Sequence, residues 1–202
     1  MLITFVLSFT YHYLRTMELT NFLSDIIGRF KYYKKLGDQS FEQLPEADMH
    51  FRPSSESNSI ALILQHLYGN MMSRFTDFLT EDGEKPWRKR DAEFEPMDLT
   101  KRDLLDFWET GWSTLLNTLE SLKPEDLTKE ISIRSEKLFV YDAILRQLAH
   151  YPYHVGQIVL IAKMIRNQDW KSLSISKGES KTFEQQVRSG DNLNGMGSGK
   201  IS

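Results

Sequence analysis

A chain of 202 residues, 40% of them hydrophobic and 12% aromatic, can bury a sizeable core in one domain, and a second full domain is not expected. The formal net charge of -3, with acids and bases interspersed and no long basic run, excludes the electrostatic footprint of a DNA, RNA or polybasic membrane partner. The absence of cysteine excludes disulfides, thiolate metal ligands and cysteine nucleophiles, so a metal would have to be held by His, Asp or Glu.

Residues 1–16 contain the apolar run Leu2-Ile3-Thr4-Phe5-Val6-Leu7-Ser8-Phe9. It is shorter than the roughly 20 apolar residues that span a bilayer, and it lacks the basic start and small-residue cleavage site of a secretory signal. Met17 is followed at once by the amphipathic Glu18-Leu19-Thr20-Asn21-Phe22-Leu23, so residues 1–16 are expected to be an extension upstream of a natural start. Membrane association through the apolar run is the less favoured reading.

Apolar residues at three- and four-residue spacing predict four long helices. The first covers 18–44, with Leu19, Phe22, Leu23, Ile26, Ile27 and Phe30 opening its stripe and Pro45 ending it. A polar loop with His50, Pro53 and the N-capping stretch Ser54-Ser55-Glu56-Ser57-Asn58-Ser59 leads to the second, 59–79, which carries His66. The connection 80–98 has Asp82-Gly83 and Pro86 as breakers and is long enough to run the length of a bundle. The third helix, 99–122, is lined by Leu104, Leu105, Trp108, Trp112, Leu115, Leu116 and Leu119; the two tryptophans read as core. Glu130-Ile131-Ser132-Ile133-Arg134 alternates like a strand and can pair with Leu138-Phe139-Val140. The fourth helix, 141–167, has Pro152 in its interior, where a kink is expected. Lys, Ser, Gly and Asn dominate 176–202, which reads as a disordered polar tail. The domain proper is therefore 17–175.

His150 and His154 stand four residues apart on the fourth helix, so both imidazoles leave one face. Such a pair also arises on many helices as ordinary hydrogen-bonded side chains. Here it lies in a strongly apolar helix, and His66 lies in another that a bundle could bring opposite. Burying three imidazoles leaves a donor and an acceptor on each to be satisfied, and a divalent ion held by His66, His150 and His154 would do so with one position left open. Zinc and nickel suit three histidines best, and iron fits as well. His12 and His50, in the extension and a loop, are not assigned to the site.

Around the triplet the residues are less specific. Arg88, Arg90 and Asp91 could recognise an anionic substrate, although a solvated loop or an internal ion pair is the favoured reading. Asn70, Arg74, Arg146, Gln147 and Gln157 lie one or two turns from the histidines and could orient ligands or touch substrate. No phosphate-binding glycine loop, nucleophile elbow or acid/base residue stands out, and the catalytic group is unknown.

Three segments together are similar to a known family: Arg146-Gln147-Leu148-Ala149-His150-Tyr151-Pro152-Tyr153-His154-Val155-Gly156-Gln157-Ile158, Ser57-Asn58-Ser59-Ile60-Ala61 leading into Gln65-His66-Leu67, and Asp82-Gly83-Glu84-Lys85-Pro86-Trp87-Arg88. Over about 17–173 the chain resembles the DinB-like superfamily, in particular its branch of uncharacterised small bacterial proteins. The resemblance implies an all-α four-helix bundle in up-down-down-up order, a divalent-metal site at His66, His150 and His154, and a tendency to homodimerise. Pro152 departs from the small non-proline residue expected there and bears on local ligand geometry. Related members transfer low-molecular-weight thiols such as bacillithiol or mycothiol to electrophiles. The expectation is thus a cytoplasmic, metal-dependent thiol S-transferase in detoxification or stress response, with a small thiol or electrophile as partner. The alternative is a non-enzymatic bundle whose metal or dimer interface serves stability or ligand binding.

Overall fold

The computed structural model describes residues 2–189, with side chains from residue 21 onward. Helix α1 (Leu2–Phe41) begins earlier than the periodicity suggested, because no Gly or Pro interrupts the chain before Gly28. It ends three residues sooner, where Gln43 and Leu44 donate to Ser40 and Phe41 in tight terminal turns. Helix α2 (Ile60–Phe75) starts on Ser59, whose hydroxyl accepts from the Leu62 N–H. It stops short of residue 79 because Asp77 takes a left-handed φ of 50°. Helix α3 (Lys101–Ser121) opens on a reciprocal cap: the Thr100 hydroxyl accepts from the Asp103 N–H, and the Asp103 carboxylate accepts from the Thr100 N–H. Strands β1 (Glu130–Ile133) and β2 (Glu136–Phe139) pair antiparallel, and α4 (Val140–Arg166) continues unbroken past Pro152.

The direction of each helix follows from its contacts. Tyr68 stacks on Phe107 with centroids 4.5 Å apart, and further along both helices the Thr118 hydroxyl donates to the Phe75 carbonyl at 3.0 Å; α2 and α3 therefore run parallel. Phe41 meets Trp108 at 5.1 Å while Phe30 meets Trp112 at 6.2 Å, so α1 opposes α3. His66 faces His154 while Asn70 faces Tyr151, so α2 opposes α4. This is the up-down-down-up bundle, and the parallel α2–α3 pair is what requires the long crossover between them. The fully buried Trp112, Tyr151 and Phe30 form an edge-to-face cluster at its centre. Trp108 is anchored from below by its indole N–H, which donates to Asp38 at 2.7 Å.

The crossover is clamped to the hairpin through Asp82. Arg134 and Ser135 form the hairpin turn with φ of 56° and 63°, values that favour glycine. The Asp82 carboxylate accepts from both of their N–H groups at 2.8 Å, from the Ser132 hydroxyl at 2.9 Å and from the Glu84 N–H at 2.7 Å. Burial acts to raise its pKa, but these four donors outweigh burial and hold the carboxyl well below the usual carboxylate range.

Within the stretch read from composition as a polar tail, α5 (Ser180–Ser189) is helical. Its ten residues contain neither Gly nor Pro, and Glu184 pairs with Arg188 one turn on at 2.5 Å. It lies on the surface with only Phe183 half-buried. The glycine-rich stretch 194–199 lies outside the described residues. Among the described residues, no helix is long and apolar enough to cross a membrane.

Helix α1 carries Gly37 directly under Trp108, where an added Cβ would stand 2.6 Å from the ring Cη2. The gain in helix propensity from Gly37→Ala, about 1 kcal/mol, should therefore be overridden by overpacking. Urea denaturation is expected to show a net loss of roughly 1–3 kcal/mol.

Candidate metal centre

His66 leaves α2 and His150 and His154 leave α4 at the level where these antiparallel helices cross. The Nε2 atoms of His66 and His150 are 3.3 Å apart and those of His154 and His150 are 3.1 Å apart, with one ligand nitrogen of each residue within 4.8 Å of the others. Bonds of about 2.0–2.1 Å to a tetrahedral zinc would place two nitrogens roughly 3.3–3.4 Å apart. The two spacings at His150 match such an ion.

The protonation of the cluster supports the same conclusion. The His66 Nδ1 lies 2.9 Å from the Glu93 Oε2, so Nδ1–H is the donor and the Nε2 lone pair points into the cluster. A single proton on the His150 Nε2 can fully satisfy at most one of its two neighbours. Burial, followed by the neighbouring His154 and His66, pushes the His150 pKa down to about 3. Burial and then His66 push His154 down to about 4, with Gln157 acting in the opposite direction. Both are therefore neutral at pH 7, with lone pairs crowded on one point, which is the condition for a nitrogen ligand set.

The carboxylate behind His66 is held in turn. Arg88 donates from Nε to the Glu93 Oε1 at 2.7 Å and from Nη2 to Oε2 at 2.9 Å, a two-pronged pair whose side chains are only 1% and 9% exposed. Burial acts to raise the Glu93 pKa, but the hydrogen bonds from His66 and Arg88 prevail and keep it lowered. Gly69 completes the support. A Cβ at this position on α2 would stand 2.7 Å from the Glu93 carboxyl carbon, so the carboxylate reaches His66 only because residue 69 has no side chain. Phe94 stacks on the other face of the His66 ring at 4.9 Å, and the Arg90 guanidinium lies 5.5 Å over Phe94.

Above the histidines opens a cavity of about 430 Å³. Asn70, Arg74, Arg146 and Gln147 line it as the spacing suggested they could, together with Arg90, Arg134 and Tyr153. Asn70 also accepts from the Tyr151 hydroxyl at 2.9 Å, and burial raises the Tyr151 pKa so that this hydroxyl stays protonated. Arg88 proves to be the internal ion pair, whereas Arg90 faces the cavity and Asp91 is solvent-exposed. His50 is remote from the cluster and bonds the Leu99 carbonyl at 2.8 Å.

Sequence reasoning missed Glu93, Phe94 and Gly69. Glu93 and Phe94 sit in a short 3-10 turn (Asp91–Phe94) of the crossover, with no periodicity to mark them. The one available signal was Arg88 five residues before an acid in a loop otherwise rich in charge.

In a bundle of this helix order, one histidine from the second helix faces a pair on the fourth, a three-histidine cluster that could bind a metal ion. The chain belongs to the family described as Protein of unknown function (DUF1572), whose model matches residues 18–179. Among solved structures it is similar to that of a DinB-like protein, YjoA, from Bacillus subtilis, at 16% identity and a TM-score of 0.49, covering 73% of this chain and 95% of that one. No curated protein matches it.

Two predictions concern how the histidines are held. Glu93→Gln and Gly69→Ala should each weaken metal binding by about 10–100-fold, one by removing the charge behind His66 and the other by displacing it; competition with a chromogenic chelator measures this. A Gly69→Ala protein that binds metal as the wild type does would show that Glu93 does not orient His66. The second concerns pH. In metal-free protein the folded-state pKa values of His150 and His154 lie below the ordinary 6.5, so the unfolded chain binds more protons between pH 6.5 and about 4. Stability should fall across that window by up to about 1.4 kcal/mol per pH unit for each histidine. Chelator-treated His150→Gln/His154→Gln should show a flatter pH dependence of its urea midpoint.

Proposed function

We propose that the protein is a divalent-metal-dependent enzyme of the thiol S-transferase type, joining a low-molecular-weight thiol to an electrophile in detoxification or stress response in the cytoplasm. The observation that carries this reading is the convergence of three imidazole nitrogens at the floor of an open cavity. Zinc or nickel fits the nitrogen donors best, with iron a further candidate. With a divalent ion in place, its undiminished positive charge would lower the pKa of a thiol or water at the open position. The chain's own part is to keep His150 and His154 unprotonated by burial, to fix the His66 tautomer through Glu93, and to admit substrate past Tyr153 and the arginines. The choice of thiol chemistry is supported by the resemblance to DinB-like transferases.

One observation favours the second reading, a bundle whose ion serves stability or ligand binding: among the described residues no carboxylate lines the cavity, and Glu93 is fully engaged by Arg88 and His66. Purified protein is expected to hold about one equivalent of metal, and His66→Ala/His150→Ala/His154→Ala to hold none; equally negligible metal in both would overturn the metal reading. Metal-loaded protein should then conjugate at least one thiol in a thiol and electrophile panel and lose little thermal stability on chelation. A large loss of stability without conjugation would select the second reading.

We also propose a homodimer formed through α4. Leu145, Ala149, Tyr153, Gly156, Leu160 and Met164 recur at three- and four-residue spacing on its exposed face, bordered by the charges of Arg146 and Lys163, and Leu160 is 59% and Tyr153 64% exposed. Gly156 has nothing within 4 Å of its would-be Cβ, leaving room for close approach. Light scattering should give twice the chain mass of 23.6 kDa, and Leu160→Glu should reduce it to one.

A further inference from the structure

The cavity wall has a charge that the histidines do not explain. Arg74, Arg90, Arg134 and Arg146 line it, and among the described residues no carboxylate does. Arg74 and Arg134 share one carboxylate, Glu84, whose Oε2 accepts from both at 3.0 and 2.8 Å. Behind the wall, Arg88 engages Glu93 and lies 3.7 Å from the same Glu84. Three guanidinium groups thus meet two carboxylates. At the rim, the acid paired with Arg90 is the fully exposed Asp91 at 3.8 Å, and that paired with Arg146 is Glu136 at 3.6 Å, 72% exposed. Such solvated pairs hold little energy and leave N–H donors free.

A second observation on the same wall points to a ligand. Gln147 is 4% exposed and lines the cavity one turn before His150, yet its amide oxygen has no hydrogen-bond partner. A buried amide oxygen left unpaired is costly, and a hydrogen-bond donor carried by the ligand, away from its oxyanion end, would satisfy it. The volume, about 430 Å³, is that of a small-molecule site.

We propose that this cavity binds a small molecule through an oxyanion group, carboxylate or phosphate, gripped between Arg90, Arg134 and Arg146, with the remainder of the ligand passing Gln147 toward the three histidines. Arg74 is the fixed member of the set, held by Glu84 and the Gly83 carbonyl. The three rim arginines come from the crossover, the hairpin turn and α4, so they converge only in the folded chain. This deepens the metal-centre reading and depends on it only for the end of the ligand that faces the histidines.

Calorimetric titration of the full-length, zinc-loaded protein with succinate, inorganic phosphate and the uncharged succinamide tests it. At least one oxyanion should bind tenfold or more tightly than succinamide, and comparison of the two oxyanions identifies which group the site takes. R134Q/R146Q, and independently R90Q, should weaken that oxyanion tenfold or more while zinc stoichiometry is unchanged. Equal binding of all three probes, or of none, overturns the proposal. So does unaltered oxyanion affinity in folded arginine variants, which would assign the preference to the ion. Repeating the titration after chelation separates the two readings: a charge preference that persists without zinc belongs to the arginines, whereas failure to load zinc at all is a failure of the metal reading alone.

Discussion

Three imidazoles can be packed against one another only if they are neutral and their lone pairs have somewhere to go. In this protein burial keeps His150 and His154 unprotonated, and His66 is oriented from behind by a carboxylate that accepts its Nδ1 proton and is itself neutralised by a two-pronged guanidinium. Removing Arg88 from this set would leave Glu93 as a nearly buried, singly bonded charge, the kind of loss that costs far more than a surface ion pair contributes. The position of Glu93 depends in turn on a glycine in the middle of α2, a residue that weakens the isolated helix but lets the crossover lie flat on it.

The bundle order serves the same end. Because α2 and α3 run parallel, the chain between them must travel the whole length of the molecule, and this passage is what carries Arg88, Glu93 and Phe94 over the histidines. The crossover has little hydrophobic anchorage of its own. It is secured by polar means: Asp82 on the hairpin turn, Glu84 between Arg74 and Arg134, and the Ser73 hydroxyl donating to the Gly83 carbonyl at 2.7 Å. The aromatic cluster of Phe30, Trp112 and Tyr151 beneath fixes the spacing of the helices, and Tyr151 links core to site because its neighbour in sequence is His150.

One helix thereby has three roles on three faces. The buried face of α4 supplies Tyr151, Val155 and Ile158 to the core; the face toward α2 supplies His150 and His154; the outward face carries the apolar stripe with Tyr153 and Leu160. Tyr153 lies both on that stripe and on the cavity lining, so anything docking on α4 would also border the entrance. Pro152 sits among these roles without ending the helix, since losing one N–H donor removes a single rung of the ladder.

Much of this was legible beforehand because it is local and periodic. Four helices, the N-capping stretch that ends at Ser59, the hairpin and the pairing of His150 with His154 all follow from spacing within a single element, and the apolar setting of His66 marked it as the third member. What the chain by itself could not disclose are contacts across elements: that Glu93 lies against Gly69, that Arg88 turns inward while Arg90 faces the cavity, and that rim arginines from three separate segments converge there. Side-chain periodicity records only which face of a helix is buried. The identity of the metal-ligand candidates was thus determined by sequence, whereas the charge that orients them and the electropositive cavity above were decided by tertiary structure, because Coulomb and hydrogen-bond energies depend on distances that only folding sets.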